Sequence, residues 1–328
     1  MAINSIETAV KYSGELDKVF VQKSVVGFFA DNIFRSKFVG AKTVILPDID
    51  FHGLVNYDRD NGFARGSLTV ANTPFTMQMD RARSMQIDRE DMDETGVANL
   101  AGKVLGEFVR TKVAPECDAY CLSKLAGLAN QNGGVSVPTS TELTKPVALF
   151  NKLAQAVREE VGYDEELVCF VDGTTYTAML NDATFNKQVI VSDFKKGEID
   201  LKVKSIDGVP IIPVASTRMK GVYDFETSPE KGFVAPSDAA SIHMIVMPKK
   251  GASLVKKTEQ MRIFTPEQNL DADAYKFDYR LYYDIFVRKS QAKAIKVAAS
   301  KTYDAPAYAT NHKVEDSAAA ASAEGTEE

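Results

Sequence analysis

The sequence contains few of the residues that most often carry chemistry in enzymes. Its 328 residues include no Trp, 3 His and 3 Cys. The histidines, His52, His243 and His312, are far apart along the chain, and no HExxH, GxSxG or Cys–His signature occurs. We therefore nominate no catalytic, cofactor-binding or metal-binding residue, and nothing in the sequence argues for an enzyme.

Signals for membranes and for nucleic acid are also absent. The formal net charge is -6 and the sequence pI is about 5.4, with no basic stripe of the kind that binds phosphates. Binding to nucleic acid through its phosphates is therefore not indicated. The N-terminus lacks a signal peptide, and no apolar run is long enough to span a bilayer. We expect a soluble protein made in the cytosol, with no membrane partner.

The three cysteines are Cys117, Cys121 and Cys169. Cys117 and Cys121 lie four residues apart on a predicted helix, a spacing with poor geometry for a disulfide. Since no Cys-x-x-Cys pair occurs and no His is nearby, a zinc site is not indicated. The pattern favours buried thiols in a reducing cytoplasm.

The most informative feature that is present is a long two-stranded β-ribbon. Extended runs at 43–51 and 67–79 flank a polar centre at 56–66, which contains the hairpin signal Asn61-Gly62. We predict no third strand adjacent in sequence. An isolated ribbon is marginal in water, so it needs a surface, which could belong to another copy of the chain. Residues 1–41 predict an extended N-terminal arm with a short helical piece, which needs a partner surface too.

A long amphipathic helix is predicted after the ribbon. Apolar residues recur with helical spacing from Val97 to Ala129, and the run 130–134, with two glycines, ends the pattern. Pro115 lies inside the pattern and predicts a kink or an interruption. The acidic run at 88–95 is typical of a helix start, where carboxylates interact favourably with the helix dipole.

Two other interpretations of the acidic residues are weaker. The run at 88–95 could hold a metal ion, and paired carboxylates such as Asp271 and Asp273 could do acid–base work. Such groups occur in any acidic protein. Helix capping, with salt bridges from the run to Arg81, Arg83 and Arg89, is the interpretation we prefer.

The rest of the chain predicts a mixed α/β segment followed by long strands. A short hairpin is predicted at 199–214, and Pro210 and Pro213 place its second strand at a sheet edge. The tail from Glu315 is rich in Ala, Ser and Glu, and we expect it to be disordered. The predicted elements are a helix with Thr144 as its N-cap and Pro146 in its first turn, ended by Gly162, a strand at 167–171, a short helix at 174–180, a hairpin at 199–206 and 209–214 around Asp207-Gly208, and strands at 242–248, 255–264, 279–288 and 293–298.

Several local phrases add to this order of elements. They are DRARSMQID at 80–88, DET at 93–95, EFVR at 107–110 with PECDAY at 115–120, IDGVPII at 206–212 and YDIFV at 283–287. In this order they resemble the major capsid proteins of tailed bacteriophages, the Hong Kong phage-type shell fold that encapsulins share. The resemblance covers most of the chain, residues 4–299, and its specificity lies in the order of the phrases.

The resemblance implies an α+β phage major-capsid fold. Its implied parts are an N-terminal arm (1–42), an extended hairpin loop that lies across a neighbouring subunit (43–92), a peripheral domain with a long spine helix (93–134 and 241–289), an axial domain (135–240 and 290–300) and an acidic tail (301–328). The loops of the axial domain would meet around the centres of hexamers and pentamers.

The implied function is a non-enzymatic subunit that self-assembles into the icosahedral shell around double-stranded phage DNA. Implied partners are other copies, a scaffolding protein, a portal and, as an option, a decoration protein. The chain begins almost directly with the arm, so we expect a separate scaffolding protein. No lysine lies between Lys42 and Lys103, so the loop-lysine cross-link of some relatives is not expected. The implied location is the virion, after assembly in the host cytoplasm.

We expect contacts between subunits at the ribbon, behind it and in the arm. The residues are Tyr57, Arg59, Asp60, Phe63 and Arg65 in the ribbon, Arg81 and Arg83 behind it, and Phe28 and Phe29 in the arm. Two alternatives remain. An encapsulin-like nanocompartment shell would hold protein cargo instead of nucleic acid. A cytosolic oligomeric α+β enzyme would show a substrate-sized pocket with convergent polar groups.

Overall fold

The computed structural model describes residues 24–31, 37–39, 43–51, 68–90, 105–182, 184–185, 189–196, 199–227 and 232–310. Within these residues, helices pack on three sheets, an α+β arrangement as predicted. The predicted ribbon centre at 56–66, the acidic run from residue 91 onward, the helix start at 97–104 and the tail lie outside the described residues.

The strands are β1 (Lys37–Val39), β2 (Thr43–Phe51), β3 (Leu68–Thr76), β4 (Met79–Asp88), β5 (Val135–Ser136), β6 (Leu167–Asp172), β7 (Val189–Lys196), β8 (Ile199–Ile206), β9 (Val209–Val214), β10 (Ile242–Pro248), β11 (Ala252–Phe264), β12 (Ala274–Val287) and β13 (Lys296–Ala299). The α-helices are α1 (Ala114–Gln131), α2 (Ser140–Thr144), α3 (Pro146–Val161), α4 (Gly173–Asn181), α5 (Lys289–Ala292) and α6 (Ala307–Thr310). Short 3-10 helices span Gly27–Asp31 and Ser216–Arg218, and a π-helical segment, Val109–Val113, precedes α1.

The ribbon is present. Strands β2 and β3 pair antiparallel, with Thr43 opposite Thr76 and Phe51 opposite Leu68. The prediction that no third strand lies nearby is wrong, because β1 pairs antiparallel with β2. That strand has only three residues, and its pattern does not stand out from the surrounding mixed apolar segment. The three strands form a sheet of their own, in the order β1-β2-β3.

The chain leaves the ribbon at Met77 and Gln78 and enters a different sheet. Strand β4 pairs antiparallel with β12, with Met79 opposite Tyr283, and β12 pairs with β11. The sequence predicted one extended run at 67–79 and no strand at 80–88. Because β4 is an edge strand with mostly exposed side chains, its sequence is polar and lacks a clear period-two apolar signal.

The largest sheet has seven strands in the order β5-β13-β10-β6-β9-β8-β7. Successive side chains of β6 alternate between its two faces, as the strand period requires. Val168 and Phe170 join the core shared with α1, whereas Cys169 and Val171 join the core shared with α3. The predicted edge position of β9 is wrong, since β9 lies between β6 and β8. Its prolines are tolerated because pairing with β8 ends after two residue pairs, at Val209 and Pro210.

Helix α1 is more deeply buried than one apolar stripe predicts. Residues 105–108 are already helical, and the π-helical segment joins them to α1 without a break. The N–H of Ala114 bonds to the carbonyl of Val109, five residues back. This wider turn comes just before Pro115, which has no N–H to donate. All residues from 117 to 129 are buried, so α1 is a central element with cover on every side.

Candidate functional site

Helix α1 carries three ionisable side chains, Glu116, Asp118 and Lys124, that each bind a different part of the chain. Asp118 and Lys124 have no appreciable exposure, and the Glu116 side chain is 15% exposed. An ionisable group in such a place requires partners, because an unpaired buried charge is costly. The partners lie in the N-terminal segment, β4 and β12, so these three residues tie α1 to three other parts of the chain.

Asp118 fixes the N-terminal segment. Its Oδ1 accepts hydrogen bonds from the Ser24 hydroxyl at 2.6 Å, the Val25 N–H at 2.9 Å and the Val26 N–H at 3.2 Å. Its Oδ2 accepts from Arg218 Nη1 at 3.0 Å. Burial raises the pKa of Asp118, and the hydrogen bond from Ser24, those from the backbone and the charge of Arg218 act in the opposite direction.

Asp284 fixes the base of the ribbon. Its Oδ1 lies 2.6 Å from Lys124 Nζ and accepts a hydrogen bond from the Tyr120 hydroxyl at 3.0 Å. Its Oδ2 accepts from the N–H of Gln78, the residue between β3 and β4, at 3.1 Å. The neighbouring Tyr282 hydroxyl donates to the Met77 carbonyl at 3.1 Å. The two residues that link the ribbon to β4 are therefore bonded to β12.

Arg81 and Glu116 join β4, the helix and the loop near residue 232. Arg81 Nε donates to Glu116 Oε1 at 2.6 Å, and its two Nη atoms donate to the carbonyls of Phe225 and Gly232, each at 3.0 Å. Burial raises the pKa of Glu116, and the positive charge of Arg81 opposes that shift. The sequence predicted Arg81 to pair with the acidic run, but its partner here is Glu116, which was not anticipated.

An open cleft of about 610 Å³ lies beside this ion pair, between β4, β12 and the π-helical segment. Apolar and cationic side chains line it, among them Phe108, Tyr279, Leu281, Arg83 and Lys112. Among the described residues that line it, none is His, Cys, Ser or Asp. Two carboxylates also line it: Glu116, which is paired with Arg81, and Glu226.

The carboxylate pair considered for acid–base work is engaged elsewhere. Asp271 bonds Lys276 Nζ at 2.8 Å, and Asp273 lies 4.0 Å from Arg89. The expected buried thiols are confirmed, because Cys117, Cys121 and Cys169 are free and buried. Within the described part of the chain, no helix is long and apolar enough to cross a membrane.

The predicted intersubunit residues fall into three groups. Tyr57, Arg59, Asp60, Phe63 and Arg65 lie outside the described residues. Phe28 and Phe29 are buried in the chain's own core, where both rings lie within 6.2 Å of the Phe170 ring, measured between centroids. Arg83 is exposed on β4, and Arg81 is engaged as described above. Contact of any of these residues with a neighbouring subunit stays a prediction.

Sequence reasoning missed Asp118, Lys124 and Asp284. One signal was available: two charged residues interrupt an otherwise apolar segment at 117–129, which suggests buried partners. The identity of those partners was not readable, because Ser24 and Asp284 lie 94 and 160 residues away from them in the chain.

Comparison with solved structures identifies the fold. A chain from Mycobacterium phage Ogopogo is 10% identical with a TM-score of 0.54, covering 84% of this chain and 92% of that one. The capsid of cyanophage P-SCSP1u is 12% identical with a TM-score of 0.53, covering 81% and 86%. The mature capsid of bacteriophage PhiM1 is 13% identical with a TM-score of 0.51, covering 81% and 83%. A scan of protein-family models and a search of curated proteins find no match.

The matched region spans most of this chain and most of each phage chain, so the likeness concerns the whole architecture and not one motif. The expected phage major-capsid fold is thereby confirmed. At these sequence identities the likeness establishes the fold.

Proposed function

We propose that this chain is the major capsid protein of a tailed bacteriophage. In this proposal its subunits self-assemble into hexamers and pentamers, which form the icosahedral shell around double-stranded DNA. The observation that carries the proposal is the fold shared over 81–84% of the chain with phage structures, two of them capsids. The role is structural and not enzymatic, and the subunit resides in the virion after assembly in the host cytoplasm.

The ribbon supports a role in assembly. Among the described strands, β2 and β3 pair only within their own small sheet, and β3 is an edge strand there. An open strand edge carries unpaired N–H and C=O groups, which a second chain can cover. The base of the ribbon, in contrast, is fixed through Asp284 and Tyr282. A firmly fixed base with an open strand edge suits a contact across a subunit boundary.

The proposed contacts need not be strong individually. A contact of micromolar affinity corresponds to about 8 kcal/mol at standard state, and a subunit in a closed shell makes several contacts at once. Weak contacts also allow misplaced subunits to leave. The acidic balance of the chain, net charge -6, suits a container for DNA, since tight binding of phosphates would hinder packaging and release. The enclosed DNA is held without sequence-specific binding.

The proposed division of labour follows the domain prediction. The segments 93–134 and 241–289 form the peripheral domain, and 135–240 with 290–300 form the axial domain around capsomer centres. Six of the seven strands of the large sheet lie in the proposed axial segments, whereas its interior strand β10 lies with β11, β12 and α1 in the proposed peripheral segments. Scaffolding protein and portal are the proposed assembly partners, with a decoration protein as an option.

Sedimentation and electron microscopy of the purified full chain test this proposal. The expected result is capsomers or closed shells, formed alone or after co-expression with a scaffolding protein. A monodisperse monomer at high concentration with scaffold present would contradict the proposal. Nucleic acid inside native particles supports the phage shell, whereas a protein cargo would point to an encapsulin-like compartment.

A further inference from the structure

Lys124 and Asp284 form the most deeply buried ion pair among the described residues. Their side chains are 1% and 0% exposed, and Nζ lies 2.6 Å from Oδ1. They come from α1 and β12, elements that are far apart in sequence. A fully buried ion pair pays a large desolvation cost that mutual attraction often fails to recover. So close a pair is therefore a candidate for a chemical role beyond stability.

Two aromatic rings and three hydrogen-bond donors surround the pair. Lys124 Nζ lies 5.5 Å from the ring centroid of Tyr120 and 5.8 Å from that of Phe286. The Tyr120 hydroxyl bridges the pair, since it donates to Asp284 Oδ1 at 3.0 Å and accepts from Nζ at 3.3 Å. The Gln78 N–H donates to Oδ2 at 3.1 Å, and the Ile285 N–H donates to Oδ1 at 2.7 Å.

We propose that Lys124 and Asp284 condense to an isopeptide bond within the chain. The arrangement has the three parts that this reaction needs: an amine held against a carboxyl group, a hydroxyl that bridges both, and an N–H aimed at the other carboxyl oxygen. Fixed proximity of reacting groups can replace a large share of the activation barrier. Exclusion of water favours the amide over its hydrolysis, and condensation removes both buried charges.

The step balances without any other reactant. A proton passes from the ammonium to the carboxylate, which gives a neutral amine and a carboxylic acid. The Nζ lone pair attacks Cγ of Asp284 and forms the C–N bond. A second proton passes from nitrogen to Oδ1, the C–Oδ1 bond breaks, and Oδ1 leaves as water. An ammonium and a carboxylate thus become one amide and one water molecule.

Two neighbouring groups, the Tyr120 hydroxyl and the Gln78 N–H, have defined roles in this step. The Tyr120 hydroxyl, bonded to both Nζ and Oδ1, can relay the second proton. Burial raises the pKa of Tyr120 far above its usual range, with the nearby Asp284 as the second cause, so the hydroxyl keeps its proton between transfers. The Gln78 N–H faces Oδ2, the oxygen that carries negative charge in the tetrahedral intermediate and remains as the amide carbonyl.

The bond would lie at the base of the ribbon. It would join α1 covalently to β12 beside Gln78, and would close residues 124–284 into a loop that persists when the chain unfolds. This link lies within one subunit and uses no lysine of the ribbon, so it differs from a cross-link between subunits.

Mass spectrometry of the purified full chain after tryptic digestion tests the proposal. Trypsin does not cleave after an acylated lysine, and Lys145 precedes Pro146. The expected product is therefore peptide 113–152 joined to peptide 281–288, lighter than their sum by one water. Recovery of 113–124 and 281–288 only as separate linear peptides would overturn the proposal.

Lys124→Arg is the matched control, because it keeps the positive charge but cannot form this amide. The denatured wild-type chain should migrate faster than the variant on a gel, since the closed loop makes it more compact. Intact mass alone is not decisive, because Asp207-Gly208 can also lose water by ring closure. A loss of water that persists in Lys124→Arg, with no linked peptide in the wild type, would assign the loss to such a site and overturn the proposal.

Discussion

At the scale of single residues, one carboxylate can fix the path of a distant segment. Asp118 is fully buried and accepts hydrogen bonds from Ser24, Val25, Val26 and Arg218. Two of these donors are backbone N–H groups of a segment with little regular structure of its own. Such groups must be paired when buried, and Asp118 supplies the acceptor that a sheet or helix would otherwise provide.

Replacing Asp118 by Ala should therefore destabilise the fold strongly. The change leaves several buried donors without an acceptor and Arg218 without its partner. Removal of one member of a buried ion pair costs about 3–5 kcal/mol. Urea unfolding followed by circular dichroism measures the loss. The matched control is Glu107→Ala, which removes an exposed carboxylate bonded to Arg110, and its unfolding midpoint should stay close to the wild type. Equal midpoints for both variants would contradict the assigned role.

Two glycines near the ends of the long helical segment should respond in opposite ways to the same change. A Cβ on Gly134 would lie 2.2 Å from the Ile295 carbonyl oxygen, whereas a Cβ on Gly106 would meet nothing within 4 Å. Gly134→Ala must therefore move backbone, and we expect a loss of about 1–3 kcal/mol. Gly106→Ala lies in a helix and should gain about 0.5–1 kcal/mol. Thermal unfolding of the two variants side by side measures both signs, and a stabilised Gly134→Ala would refute the reported contact.

At the scale of elements, the sequence predicts those strands and turns that a local residue pattern determines. The run at 167–171 is apolar throughout because both faces of β6 are covered, and the hairpin around Asp207-Gly208 is marked by two residues with positive φ, 51° and 74°. The placement of β9 between two neighbours was not predictable in this way. Pairing partners of a strand are set by tertiary contacts, and a proline excludes only one hydrogen bond.

In the candidate site, too, the sequence predicts the local features but not the tertiary partners. The position of α1 was predicted, and so was a disturbance at Pro115, which takes the form of a π-helical segment instead of a break. The partners of Glu116, Asp118 and Lys124 were not predicted, because each lies on another element. Sequence periodicity indicates that a side chain is covered, but it does not identify the group that covers it.

The short helix α2 offers a prediction at this scale. Thr139 and Glu142 form a reciprocal capping box, and Glu142 also bonds Lys152 of α3 at 2.8 Å. The hydrogen bond from Lys152, followed by that from the Thr139 N–H, lowers the pKa of Glu142 from 4.5 to about 2. A folded-state pKa below the unfolded value means that the contribution to stability is present above pH 4.5. It is lost as the pH falls from 4.5 toward 2.

Glu142→Gln should therefore flatten the dependence of stability on pH in that window. Lys152→Met should flatten it as well, because it removes the largest cause of the pKa shift. Urea midpoints measured at several pH values between 2 and 7 give the comparison. If the wild type and Glu142→Gln show curves of the same shape below pH 4.5, the capping carboxylate does not have the lowered pKa assigned to it.

At the scale of the whole molecule, the described strands divide between a body and a separate ribbon sheet. The cores around α1 and α3 share the seven-stranded sheet, whereas the ribbon forms a separate small sheet beyond Gln78. Buried ion pairs lie at the junctions between these parts. Within the described residues, no strand pairing joins the ribbon to the body, so the open strand edge of the ribbon remains available to another copy.

Deleting residues 56–66 should therefore block assembly without unfolding the subunit. The deletion shortens the connection between β2 and β3, and it leaves in place the bonds of Asp284 with Gln78 and Lys124 that fix the base of the ribbon. We expect wild-type circular dichroism and urea midpoint, with sedimentation as free subunits where the wild type forms larger particles. An internal control is a variant that replaces the same segment by a flexible Gly/Ser linker of equal length, which should fold equally well and fail to assemble if side chains of the tip make the contact. Global unfolding of the deletion variant would show that residues 56–66 belong to the subunit's own core. Shells formed by the linker variant would show that the side chains of residues 56–66 are not needed for assembly.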